Sequence, residues 1–262
     1  MDFGDEGTKR STQRLPSFLD QDEIRVLLLD IEGTTTPIDF VYKTLFPYAH
    51  RKLESFLRAH AHDSAIQSVL QDLRTQSECD ESTGNHPPAW RDDSADAHVH
   101  SAVAFVQWLM ARDSKCNPLK ALQGKIWREG YENGDLRGEV YPDVPRAFDR
   151  WRRQGRQICI YSSGSVLAQQ LLFRTVPSGD LTTQIAAFFD THVGSKSDSE
   201  SYQKITASVG RAPSEILFIS DAAKEIEAAK SAGMRAILCN RDAQASPAEN
   251  ATIRSFDEIF PD

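Results

Sequence analysis

Residues 24–34 read Ile24-Arg25-Val26-Leu27-Leu28-Leu29-Asp30-Ile31-Glu32-Gly33-Thr34. Apart from Arg25 the run is apolar up to Asp30, the texture of a β-strand buried on both faces of a parallel sheet, and an acid followed soon by Gly33 ends it. Three later segments repeat the form: 157–163 (QICIYSS), 215–221 (EILFISD) and 236–240 (AILCN). Each follows a stretch with helical periodicity, at about 144–154, 202–209 and 222–232, the last stopped by Gly233. Helices alternating with apolar strands predict an α/β fold, a doubly wound parallel sheet.

Far more chain separates the first strand from QICIYSS than one crossover helix needs, so a subdomain is inserted there. Helical patterns at about 43–58, 64–74, 99–112 and 119–132 make that insert mainly helical. The expected organisation is a tail at 1–22, a catalytic core at 23–38 and 140–262, and a helical cap at 39–139. The stretch Glu78 to Asp96 is rich in acids, small polar residues and the pair Pro87-Pro88, so residues 78–97 read as a surface loop or an unstructured segment.

The net charge of −8 argues against a nucleic-acid or acidic-membrane partner, which needs positive potential over an extended face. No uncharged apolar stretch approaches the roughly eighteen residues that span a bilayer. Cys79, Cys116, Cys159 and Cys239 are scattered without CxxC or zinc spacing, which suits a reduced, cytoplasmic protein. An anionic ligand must therefore meet local lysines.

In open parallel sheets ligands bind beyond the carboxyl ends of the strands. Strand one ends in Asp30-Ile31-Glu32-Gly33-Thr34, the second in Ser162-Ser163-Gly164, and EILFISD in Asp221-Ala222-Ala223-Lys224-Glu225. Lys196 follows another short apolar segment, 185–189, in Gly194-Ser195-Lys196-Ser197-Asp198. Carboxylates, hydroxyls, turn glycines and one ammonium suit phosphoryl transfer, in which an anionic phosphate repels a carboxylate nucleophile unless cations neutralise both. Asp30 is the candidate nucleophile, through an aspartyl-phosphate. Asp30 and Asp221 offer hard oxygen ligands to Mg2+, with a carbonyl near Glu32, phosphate and waters completing the shell. Lys196 and Ser162 suit the phosphate, and Glu32 suits acid and base duty at the leaving oxygen and at water.

This set resembles the haloacid dehalogenase superfamily of phosphohydrolases in its D-x-[D/E]-G-T start, hydroxyl-Gly turn, lysine and acidic pair. More narrowly, LDIEGTTTPI at 29–38, Phe46-Pro47-Tyr48, the block from Gly130 to Val144, Tyr161-Ser162-Ser163-Gly164-Ser165 and Ser199-Glu200-Ser201-Tyr202 resemble the enolase-phosphatases of methionine salvage. The resemblance covers nearly everything from 24 to 260 and thins at Glu78 to Asp96. It implies a Rossmannoid core with an inserted cap, and a small phosphoester substrate, 2,3-diketo-5-methylthiopentyl-1-phosphate, enolised and then dephosphorylated to an acireductone. It also implies a monomer in the cytoplasm, and also the nucleus, with one Mg2+ per subunit. Carried over residue by residue, it makes Asp30, Glu32 and Asp221 the metal ligands, puts Ser162, Ser163 and Lys196 on the substrate phosphate, and gives Glu225 a supporting place behind Lys196.

Blander readings stand beside these. Asp30 and Asp221 suit turn or cap positions, Ser162 and Ser163 suit capping of a helix that begins near Val166, Lys196 suits a solvated loop, and Glu225 an ordinary helix face. Phe40, Tyr42, Phe46, Tyr48 and Trp108 suit either a pocket for the methylthio group or plain core. His98 and His100 lack a third ligand and are given no role. A phosphatase of another small phosphoester, such as a sugar phosphate or nucleotide, keeps the same core chemistry. A non-catalytic binding protein is disfavoured by the competent side chain at every expected position, and a serine hydrolase by the lack of G-x-S-x-G around Ser163.

Overall fold

The computed structural model describes residues 23–241 and 252–262, so the expected tail at 1–22 lies outside the described residues. Its centre is a six-stranded, all-parallel sheet in the order β3-β2-β1-β4-β5-β6. The strands are β1 Val26–Leu29, β2 Gln157–Tyr161, β3 Ala187–Phe189, β4 Ile216–Ser220, β5 Arg235–Cys239 and β6 Thr252–Ile253. Order reverses at β1, which pairs with β2 on one side and β4 on the other, so the ligand crevice of such sheets opens at its carboxyl end.

Alternation decides which side chains go where. Leu27, Leu29, Ile158, Ile160, Leu217 and Ile219 face one core, while Val26, Leu28, Cys159, Tyr161, Ile216 and Phe218 face the other. Both faces are apolar because helices cover both, which is why the strands read as continuous apolar runs.

Between β1 and β2 lie α1 Ile38–Phe40, a π-helical turn Val41–Leu45, α2 Phe46–Ala59, α3 Ser64–Ser82, α4 Ala95–Ala111 and α5 Asn117–Glu132. The first three run on without a break, and the π turn falls where a helical stretch from 43 was expected. Beyond the insert follow α6 Asp143–Arg153, α7 Val166–Arg174, α8 Ser199–Val209 and α9 Ala223–Ser231. Among the described residues no helix is long and apolar enough to cross a membrane.

The expected loop at 78–97 is corrected to 83–94. Helix α3 runs on to Ser82 because Arg74 pairs with Glu78 and Gln76 bonds Asp80 one turn on, and α4 starts early because the Ser94 hydroxyl accepts from the Ala97 N–H. The intervening loop is tied down rather than unstructured: Asp92 holds Arg74 and His98, and Trp90 meets Phe105 edge-on at 6.1 Å. His98 and His100 are thus engaged with Asp92 and Asp96.

A second set of ties closes the far edge. Buried Arg150 of α6 donates to the carbonyls of Phe256, Ile259 and Phe260, and the Trp151 indole N–H to that of Ile259. At the start of α6 the Asp143 carboxylate accepts from the Phe256 N–H, the Ser255 hydroxyl and Arg241.

Candidate active site

Register brings the site together. Leu29 is level with Ile160 of β2 and Ile219 of β4, so Asp30, one residue on, stands beside the ends of both neighbours. Its backbone N–H extends the β4 pairing by bonding the Ile219 carbonyl at 3.0 Å. The chain then turns back: the N–H groups of Thr34, Thr35 and Thr36 all reach the Ile31 carbonyl, and the Thr35 hydroxyl donates to the Asp30 carbonyl at 3.0 Å. Gly33 makes the turn possible, with φ +70° and a Cα so close to Asp221 that a Cβ would stand 2.3 Å from its Oδ2. Arg241 pins the turn from outside, with Nε and Nη2 on the Thr34 carbonyl at 3.0 and 2.6 Å.

Lys196 comes from the loop after β3. Two phenols seat that loop: Tyr161 donates to the Gly194 carbonyl at 3.1 Å and Tyr202 to that of Lys196 at 2.7 Å. Gly194, at φ +138°, leaves no room for a Cβ against the Ser201 hydroxyl. The Lys196 ammonium, with only 10% of the side chain exposed, contacts Asp30 Oδ1 and lies 2.7 Å from Glu225 Oε2. Ser220, fully buried at the end of β4, bonds Glu225 at 2.8 Å and lies 3.5 Å from Asp30 Oδ2.

Charge is out of balance here, with Asp30, Glu32, Asp221 and Glu225 around one ammonium. Burial and neighbouring Asp30 push the Glu32 carboxyl above its ordinary range, and burial together with Asp30 does the same to Glu225 against the pull of Lys196. Asp221 keeps an exposed face, but the Gly33 turn strips part of its hydration, and this burial, with Asp30 and Glu225 nearby, pushes its carboxyl up to about 6. For Lys196, burial pulls downward and the two carboxylates more than offset it, so the ammonium is held.

The serine turn after β2 departs from the capping expectation. The residue that caps α7 is Ser165, whose hydroxyl accepts from the Ala168 N–H, whereas the Ser162 hydroxyl accepts from the Gly164 N–H within the turn. Asp221 likewise caps nothing, because the Ala222 N–H goes to the Ser220 hydroxyl.

Glu32, Ser162 and Ser163 open on a cavity of about 710 Å³ between the sheet end and the inserted helices. Its far walls include Tyr42, Leu45, Phe46, Met110, Leu119 and Trp127. Of the five aromatics singled out in the insert, Tyr42 and Phe46 line the cavity. Phe40 and Tyr48 are core, and Trp108 stacks on Phe105 under the Arg112 guanidinium.

A family profile for haloacid dehalogenase-like hydrolases matches residues 24–233. Over 238 residues the chain is 45% identical to an enolase-phosphatase of Synechococcus elongatus, covering 90% of this chain and 98% of that one. It is 43% identical to the enolase-phosphatase of Drosophila yakuba over 91% of each chain. Among solved structures, the UTR4 protein of Saccharomyces cerevisiae superposes with a TM-score of 0.71 at 32% identity, covering 89% of this chain and 99% of that one. The chain belongs to the enolase-phosphatase family of haloacid dehalogenase-like hydrolases.

Within this enolase-phosphatase fold, Ser220, Thr35 and Arg241 hold the site without having been expected from sequence. Among the described residues no group of three or more His, Cys, Asp or Glu side chains is arranged to hold a metal ion.

Proposed function

We propose that the chain enolises 2,3-diketo-5-methylthiopentyl-1-phosphate and then hydrolyses its phosphate through an aspartyl-phosphate on Asp30, giving an acireductone and inorganic phosphate in methionine salvage. The observation that carries this reading is the contact of Lys196 with Asp30 at the end of the central strand, beside Asp221 and next to a largely apolar cavity.

Asp30 Oδ2 is the nucleophile in this reading, since Oδ1 is engaged by Lys196. The ammonium draws the phosphoryl group toward the carboxylate and holds its charge, with Ser162, Ser163 and the N–H groups of their turn on its other oxygens. Glu32, with a carboxyl that burial pushes toward the protonated form, gives a proton to the leaving oxygen and then takes one from the water that opens the acyl-phosphate. Glu225 and Ser220 keep Lys196 aimed.

Asp30 and Asp221, with Glu32 through its main-chain carbonyl, would hold one magnesium ion. The surplus of negative charge and the lifted carboxyls of Glu32 and Asp221 support that fit. When bound, the ion neutralises nucleophile and phosphate together. The same reading has residues 39–139 act as a cap that supplies the cavity walls, over a core of 23–38 and 140–262. It also takes the enzyme to be a monomer in the cytoplasm and nucleus.

The direct test is magnesium-dependent phosphate release from the diketo phosphate, with the enol intermediate followed by absorbance. Release without a transient enol would remove the enolisation step, and none above background while other phosphoesters are cleaved would transfer the chain to a different substrate.

A further inference from the structure

We propose that Lys120 is a catalytic residue of the enolisation step: from helix α5 its ammonium binds the substrate carbonyl oxygen on which negative charge collects. This rests on the enolase-phosphatase reading above. In that step the C–H bond beside the phosphate ester breaks and its proton passes to a carboxylate base, for which Glu32 shares the cavity. The bonding pair becomes the C=C bond, and the carbonyl π pair moves onto oxygen, where a fixed cation is worth most.

Phosphate hydrolysis alone needs no cation at the carbonyl end of the substrate, and Lys196 is committed to Asp30 and Glu225. Four basic side chains line the cavity: His50, Arg51, Lys115 and Lys120. The first three are exposed, and Lys115 is bound to Asp113 at 2.7 Å. Lys120 is half-buried, and among the described residues no carboxylate lies within ion-pairing distance of it. Its ammonium donates instead to the Thr191 hydroxyl at 3.1 Å. Neighbouring Asp190 is taken up by the Val166 N–H and by His192. A half-buried ammonium without a direct ion pair keeps its charge free for an anion that arrives during the reaction cycle. Burial and the like charge of Lys115 pull its pKa below the ordinary lysine range against the more distant attraction of Asp190, which makes it a stronger donor toward an enolate oxygen.

Its position is fixed relative to the sheet. One turn along α5, a Cβ at Gly124 would stand 3.5 Å from the Ser165 hydroxyl, so this inserted helix lies directly on the turn that carries Ser162 and Ser163. Thr191 belongs to the same loop as Lys196. Lys120 is thereby tied to the two loops that present the phosphate-binding groups.

The test uses the full chain and its Lys120→Met and Lys120→Arg variants with the diketo phosphate, reading the enol by stopped-flow absorbance. Inhibition by inorganic phosphate reports whether the site is intact. Enol formation should fall on the order of 10²-fold in Lys120→Met and recover in part in Lys120→Arg, the range for loss of one donor to a developing oxyanion. The phosphate inhibition constant should change less than about twofold. Enol formation within about threefold of wild type, or a phosphate constant that worsens in step with it, would overturn the assignment. A wild-type chain that forms no enol yet cleaves simpler phosphoesters would remove the substrate reading itself, and this assignment with it.

Discussion

Replacing Lys196 by Met keeps the length of the side chain and deletes its charge, leaving the Asp30 and Glu225 carboxylates without the cation that each now touches. Breaking a buried pair by removing one partner costs about 3–5 kcal/mol, and the partial exposure of Glu225 places this case near 3. For a chain of this size that is a fall of roughly 6–12 °C in Tm. In wild type the Lys196 contribution is fully present below the ordinary lysine pKa of 10.5 and is lost only as pH rises through the higher folded value, so it is flat from pH 5 to 8. In the variant Glu225 and Asp221, already lifted, lose an opposing charge and rise further. The folded state then binds more protons than the unfolded one, so the variant gains stability as pH falls from 7 toward 5. Thermal unfolding in chelator across that range should show a deficit at pH 7 that narrows at pH 5, and magnesium at pH 7 should narrow it too. Equal Tm values at pH 7, or a deficit independent of pH, would refute the electrostatic account of this cluster.

Four further outcomes are expected. Gly33→Ala forces a left-handed turn on a residue with a Cβ, at about 1 kcal/mol, and drives that Cβ into Asp221. Its larger effect is a magnesium requirement raised on the order of tenfold, read by titrating activity with the ion, and an unchanged requirement would remove Asp221 from the ligand set. Burial opposes ionisation of Asp143, but Arg241 and the Phe256 N–H hold its carboxyl below the usual carboxylate range. The stability it gives is therefore present above pH 3.8 and lost as pH falls through its folded value, so Asp143→Asn should melt lower at pH 6, by about 3 kcal/mol, with the two curves converging in acid. Asp30→Asn should abolish phosphate release with the fold intact, and Glu32→Gln should slow both departure of the leaving group and hydrolysis of the intermediate, seen as phosphoenzyme trapped by acid quench. Wild-type turnover in either would assign its duty to another group.

The sheet was legible because burial on both faces makes its strands continuous apolar runs, and Asp30, Ser162 and Asp221 were legible because each follows such a run. Ser220 was not, since a serine inside EILFISD reads as strand, and its place beside Asp30 depends on the pairing of Leu29 with Ile219, which apolar pattern alone leaves free. Arg241 carries no local signal either, as its carboxylate partner is 98 residues away. Strand β6 spans two residues, too few for any periodicity to register. The loop at 83–94 was drawn too long because acids and small polar residues also sit well on exposed helix ends when i,i+4 partners and a serine cap support them. In the insert, apolar character could not separate Phe46, which lines the cavity, from Tyr48, which is core, because one helix offers both faces.

The Asp143 carboxylate that gathers Arg241, Ser255 and the Phe256 N–H has a temporal consequence. The loop that follows Asp30 is pinned by Arg241, whose partner Asp143 is held in turn by Ser255 and Phe256, made more than two hundred residues after Asp30. A nascent chain that stops before residue 255 carries Asp30, the proposed phosphate contacts and the Arg241–Asp143 pair, yet lacks the Ser255 hydroxyl and the Phe256 N–H that hold the Asp143 carboxylate. The full set of bonds behind the turn at Thr34 therefore forms only once residues 255 and 256 have been made.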